Sequence, residues 1–488
     1  MRKKWIAVIM AAVLAAGVFA SCTTQKEDGI HLDNKNPVTI EVWHYYNGAQ
    51  KAAFDKLVTE FNETVGLDKG IIVEGVNQGN VNELMEKIID SANKKVGSDP
   101  VPNIFAAYAD TAWQIDQMGL VADLGQYLTE AEISEYIPSY IEEGRMGADR
   151  ALKIFPTAKS TEVLMLNKTD WEKFTAATGA SADDLNTIEG IVRLAERYYE
   201  WTDSLTPEIP EDGKAFFGRD AMANYMIIGS KQLGTEIFSV ENGKVTFHVE
   251  DEIFRKLWDC YYVPFLNGYF AANGKFRSDD AKVGDLIALV GSTSFATYFP
   301  SEVMYDAENS YPIESLVMPA PHFEGGAAYS VQQGAGMVVS KSTPEKEYAS
   351  VVFLKWFTES SRNLEFASLS GYLPVKEEAN DVERLHKMLE TSATPMSDVM
   401  KQTFDAAFKV TTEQKLYTNQ AFKGGTEARA VLENAFSDKA EADRAEVVRM
   451  IQEGSSRADA VAKLNTQENF SQWLQSVKEA LQQTQKDD

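Results

Sequence analysis

His44, Tyr45 and Tyr46 stand in a row, directly after the alternating run VTIEVW (38 to 43) and before Asn47-Gly48. Rings of this kind stack on the apolar faces of sugar rings while their polar tips bond hydroxyls; the plainer role is packing beneath the loop. Asn77 and Gly79 in NQGN (77 to 80) offer amide and backbone groups to hydroxyls, whereas turn and cap chemistry accounts for Asn80. YADT (108 to 111) contributes Asp110 after a third apolar run, and Ser160, Thr161 and Glu162 open a further one. Ser292, Thr293 and Ser294 stand where a helix N-terminus would present N–H groups to an oxygen-rich ligand or an anion, with N-capping as the alternative. Gln332 and Gln333 precede Gly334, which lets backbone approach closely. In GYLP (371 to 374), Gly371 and Pro374 are explained by the end of a helix. Tyr372 between them is not.

Groups that make and break bonds lack any such gathering. The five histidines (31, 44, 248, 322, 386) have no metal-ligand spacing, and there is neither a Gly-x-Ser-x-Gly elbow nor a phosphate-binding loop. No catalytic residue, metal or cofactor is expected. With 73 acidic residues, carboxylate pairs arise by chance, so a secreted glycan-acting enzyme is the main alternative class, and a surface adhesin another.

The elements that must position these residues follow from periodicity. VTIEVW, IIVEGV (71 to 76) and NIFAAY (103 to 108) read as strands, separated by helical patterns on Phe54, Leu57, Val58 and Phe61 and on Val81, Leu84, Met85, Ile88 and Ile89. This alternation implies βαβ units and a mainly parallel sheet. KIFP (153 to 156), TEVLMLNK (161 to 168), VTFHV (245 to 249) and LIALV (286 to 290, closed by Gly291) continue the strands. After GMVVS (336 to 340), Thr343 caps a helix with Pro344 at its first position, and the chain finishes in helices. At 488 residues it holds two or three domains.

The first residues differ from the rest. Arg2, Lys3 and Lys4 precede an uncharged apolar run, Trp5 to Ala20, short for a membrane span and ordinary for a signal peptide. Phe19-Ala20-Ser21-Cys22 resembles a bacterial lipobox, which would make Cys22 the lipidated N-terminus. Cys260 is then left without a disulfide partner. Loss of the three basic residues takes the formal charge from −26 to −29. So acidic a body argues against nucleic-acid binding.

Several segments, in this order, resemble the family 1 extracellular solute-binding proteins of ABC importers, which include the maltose-binding and glycerol-phosphate-binding proteins. They are EVWHYYNGAQKAAFDKLVTEFNE, PNIFAAYADTAWQIDQMGLVADLGQYL, IFPTAKSTEVLMLNK, VGDLIALVGSTSFATYF and QQGAGMVVSKSTPEKEYASVVFLKWFTESSRNLEFASLSGYLPV, spread over essentially the whole mature chain. The resemblance implies an α/β fold of two lobes with an interlobe cleft, hinge crossings near 156, 315 and 375, and a helical C-terminal section. The expected division is 1–21 signal peptide, 22–36 tether, 37–156 plus 316–375 lobe 1, and 157–315 plus 376–488 lobe 2. It also implies a monomeric, lipid-tethered binding protein that captures a carbohydrate and delivers it to permease subunits. The tether would hold it at the outer face of the cytoplasmic membrane, or in the periplasm or at an outer membrane where the cell has one. Tyr372 is expected at the lobe junction with its ring toward the ligand. Arg429 aligns with a phosphate-facing position of the glycerol-phosphate branch; the alternative for it is a surface salt bridge. GRDAMANYM (218 to 226) lacks that branch's tryptophans, and QQGAG departs from its glycine pattern. A neutral mono- or oligosaccharide is therefore expected before a polyol phosphate.

Overall fold

The computed structural model describes residues 30–486 except 210, 242, 307 and 392–395. The leader, Cys22 and most of the expected tether lie outside the described residues. Among those residues, no helix is long and apolar enough to cross a membrane.

Two sheets organise the chain. The first runs Ile71–Asn77, Val38–His44, Ile104–Ala107, Gly336–Val339, Ile154–Phe155. Its first three strands are parallel, as their intervening helices require, and Gly336–Val339 is antiparallel to both neighbours. The second runs Ser315–Pro319, Glu162–Asn167, Ala288–Ser292, Phe217–Arg219, and only its last pair is parallel. The expected mainly parallel sheet is therefore mixed: strands that return from the other lobe enter from the cleft end and run backwards. The apolar run LIALV also reads differently. Its strand is Ala288–Ser292, which passes through Gly291 and carries Ser292 to the cleft edge.

Local signals set the helix ends. Asn80 Oδ1 accepts from the N–H groups of Asn82 and Glu83, and the Glu83 carboxylate accepts the Asn80 N–H at 2.8 Å. Thr343 caps Pro344–Phe357. Ser360–Ser370 ends at Gly371, whose φ of +75° suits glycine, and its N–H closes on the Ala367 carbonyl.

Each lobe has its own core. Val42, Phe54, Phe61, Phe105, Phe353 and Phe357 fill the first. Helices Asp251–Leu266, Gly425–Gln452 and Gln467–Gln483 close one face of the second sheet through Trp258, Phe436 and Trp473. Asp398–Glu413 covers the other face, with Phe404 against Met165 and Leu289. Cys260 is buried in this lobe, and burial pushes its thiol up to about 12.

Three chain crossings meet side by side. Lys159 and Leu373 exchange backbone hydrogen bonds, as do Ser160 and Gln333. The second crossing is therefore not at 315. Ser315–Pro319 pairs along its length with Glu162–Asn167, and Phe323 lies in the second core, so the chain leaves that lobe only near 331–335.

Candidate functional site

The loop after the first strand splits its three rings. His44 is fully buried, 4.7 Å from Phe54 and 5.3 Å from Tyr46 between ring centroids. Its Nδ1 accepts the Tyr46 N–H, and burial pushes the imidazole down to about 4. Tyr46 is buried too, packed on Phe54 and Phe366. Only Tyr45 turns toward the lobe junction, where its hydroxyl lies 3.3 Å from that of Tyr372. Burial pushes both phenols up. Ser294 stands beside Tyr372 on the opposite lobe. The lobes touch here so closely that a Cβ at Gly371 would come within 2.9 Å of Ser294 Cα. Ser292 Oγ is 2.9 Å from Ser294 Oγ and accepts the Ser294 N–H, and the turn that follows is the 3-10 segment Thr293–Tyr298.

Asn77 and Gly79 shape the loop rather than the cavity wall. Asn77 donates to the Tyr46 carbonyl at 2.6 Å and accepts the Gly79 N–H at 2.9 Å. Gly79 has φ +92°, and a Cβ there would overlap the Glu83 carboxylate. Gly334, at φ +99°, leaves room for the first crossing: a Cβ would lie 3.0 Å from the Ala158 carbonyl oxygen.

A buried polar network occupies the centre. Glu162 accepts from Arg219 at 2.8 Å and from Asn224 Nδ2 at 2.9 Å. Asn224 Nδ2 also donates to Gln333 Oε1 at 3.0 Å, and its Oδ1 accepts from Arg429 at 2.8 Å. Arg429 reaches Asn419 Oδ1 at 3.4 Å as well. The alternative for Arg429, a surface salt bridge, gives way to two amide partners, because its helix starts at the cleft. Asn224, Gln333, Arg429 and Asp110 line one cavity of about 330 Å³, together with Tyr108 and Glu143. Ser160 holds Gln333 in place through backbone alone.

Arg219, Asn224, Glu143, Asn419 and Tyr108 were not singled out from the sequence. A signal existed for Asn224: it lies in GRDAMANYM, where polar residues interrupt an otherwise apolar stretch beside a strand end.

Asp110 crosses from one lobe to the other. Its carboxylate packs against Gly425 at the start of Gly425–Gln452, and its Oδ1 is buried without a hydrogen-bond partner. Burial raises its value from 3.8 to about 6, against the pull of Arg429 and the Phe422 N–H. A carboxyl raised in the folded state takes up a proton on folding. Its burden on the fold is absent below 3.8, grows up to about 6 and is constant above. Asp110→Asn is therefore expected to stabilise the protein by about 1–3 kcal/mol near pH 7.5 and to have little effect near pH 4. Melting temperatures of both proteins at the two pH values test this. A variant less stable at the higher pH would mean that attraction by Arg429 outweighs burial.

Residues 56–394 match the family model described as bacterial extracellular solute-binding protein. No curated protein sequence matches the chain significantly. Among solved structures, the fold is similar to the cyclic α-maltosyl-1,6-maltose binding protein from Arthrobacter globiformis, at TM-score 0.63 and 17% identity, over 92% of this chain and 99% of that one. It is similar to UgpB from Mycobacterium tuberculosis in complex with glycerophosphocholine, at TM-score 0.62 and 16% identity, over 91% and 98%. It also resembles MalE from Bdellovibrio bacteriovorus bound to maltotriose, at TM-score 0.59 and 15% identity, over 92% and 100%.

Proposed function

This chain belongs to the bacterial extracellular solute-binding proteins, and from that premise we propose that it captures a neutral mono- or oligosaccharide between its lobes and delivers it to an ABC permease. The chemistry of the cavity lining carries the proposal. Amides of Asn224, Gln333 and Asn419 and the ring of Tyr108 surround a space into which two carboxylates, Asp110 and Glu143, also face. Arg429, the cation among these groups, gives one N–H to Asn224 and one to Asn419, both neutral amides. Hydroxyls, which both donate and accept, suit such a set; an anion would meet Asp110 and Glu143 at close range. The three similar structures include two sugar binders. The protein works by capture and presentation, with a lipid on Cys22 as its tether. Ligand contacts on both lobes favour their closed arrangement.

A polyol phosphate is the second reading, supported by Arg429 in the cavity lining and by the glycerophosphocholine bound to UgpB. Calorimetry separates the two. If the ligand is a sugar, Arg429→Ala is expected to weaken binding by about 1 kcal/mol or less, the scale of one neutral-partner hydrogen bond. Tight glycerol phosphate binding that collapses in Arg429→Ala would replace the sugar reading.

A further inference from the structure

A second cavity, of about 710 Å³, opens beside the first. The two share Glu143, Gln332, Tyr417, Thr418 and Asn419, so they form one trough with a waist at these residues. The larger space has walls from both lobes. Trp113 and the hairpin of Arg145–Met146 with Ala151–Leu152 stand on one side; Glu236 and Val240 stand on the other. Of the residues singled out from the sequence, Gln332 lines it, and only at the waist.

The waist carries an acceptor held ready for a ligand. Lys159 Nζ and Gln332 Nε2 both donate to Glu143 Oε2, the former at 2.8 Å. Glu143 Oε1 takes no hydrogen bond among the described residues. Lys159 is fully buried, so this carboxylate is fixed from behind while its other oxygen faces the trough. Farther out, Trp113 presents a partly exposed indole, and Tyr417 is anchored by its hydroxyl on Glu236 at 2.5 Å. Opposite charges meet in the lining as the Arg150–Glu142 pair. Fixed rings beside mixed donors and acceptors suit a chain of hydroxylated rings better than a peptide, which needs apolar side-chain pockets.

We propose that the 710 Å³ cavity is a second binding compartment, continuous with the first, that takes the further sugar units of an oligosaccharide whose end lies against Arg429 and Asp110. It rests on the carbohydrate reading above and commits that reading to a ligand longer than the first cavity alone would hold. An occupant would touch both lobes over a longer span, so each added unit also favours closure.

The test is calorimetry on the full chain with monomers, dimers and pentamers of glucose in α-1,4 and β-1,4 linkage, and of β-1,4-linked xylose and mannose. In at least one series the pentamer is expected to bind about tenfold tighter than the dimer, the scale of one or two ring-stacking contacts. Ala148→Arg, which puts a long side chain into the larger cavity from an exposed loop, should remove that gain. Trp113→Ala should reduce it, and Trp113→Phe should keep most of it. A pentamer that binds no tighter than its dimer overturns the second compartment while leaving the carbohydrate reading intact. So does a gain that survives both Ala148→Arg and Trp113→Ala. If no saccharide binds at any length, the carbohydrate reading itself falls, and the proposal with it.

Discussion

Lys159→Met is expected to destabilise the protein by about 3–5 kcal/mol, the usual loss when one member of a buried ion pair is removed. The side chains of Lys159 and Glu143 are 1% and 7% exposed, and the pair is 2.8 Å apart. Lys159 Nζ also donates to the Gly334 carbonyl, so one ammonium ties the first crossing to the second. Methionine keeps the apolar stem but leaves Glu143 buried with Gln332 and no cation. Lys159→Met with Glu143→Leu should recover most of the loss, because a buried pair replaced whole by apolar groups is often neutral. Denaturant melts of the wild type and both variants measure this. A single variant within about 1 kcal/mol of wild type would show that the pair behaves as a solvated surface contact.

That network shows what sequence can and cannot disclose. Glu143 and Lys159 are 16 residues apart, yet Gln332 completes the group from a distant segment. No periodicity encodes such a meeting; it follows from three crossings lying side by side. The same holds for Asn224, which bonds Glu162, Gln333 and Arg429 from three other parts of the chain.

Local chemistry was legible. Asn80, Thr343, Pro344 and Gly371 act within four residues of their own positions, and each stands at the helix end that the sequence implies. Alternation also held more than the loop reading used. Ile40 and Val42 face the core, and His44 continues their face, so its burial was implied by the period of two. The plainer role given to these rings, packing beneath the loop, describes His44 and Tyr46, and His44 takes it because it still belongs to the strand. The sheet of Ser315–Pro319 was hidden for the opposite reason: five residues fix a strand but not its partner, and Glu162–Asn167 is known as the partner only from the fold.

Glu162→Ala is expected to cost about 3–5 kcal/mol of stability and ligand affinity as well. Its carboxylate is the counter-charge of Arg219, at 2.8 Å, with side chains 10% and 6% exposed. Without it Arg219 is left stacked over Tyr225, at 5.1 Å, with the Asp220 carboxylate acting on it only from beyond ion-pair distance. Asn224 loses the stronger of its two acceptors, which frees its amide to turn away from Arg429. Two effects are thus joined in one substitution, and a compensated pair separates them. Glu162→Leu with Arg219→Met removes both buried charges and should restore most of the stability, because no ion is left uncompensated. It should not restore affinity, because Asn224 still lacks the acceptor that aims its Oδ1 at Arg429. Melting temperature and calorimetry on the single and double variants give the two readouts. Recovery of both would show that Glu162 only neutralises Arg219; recovery of stability alone would place it in the support of the cavity wall.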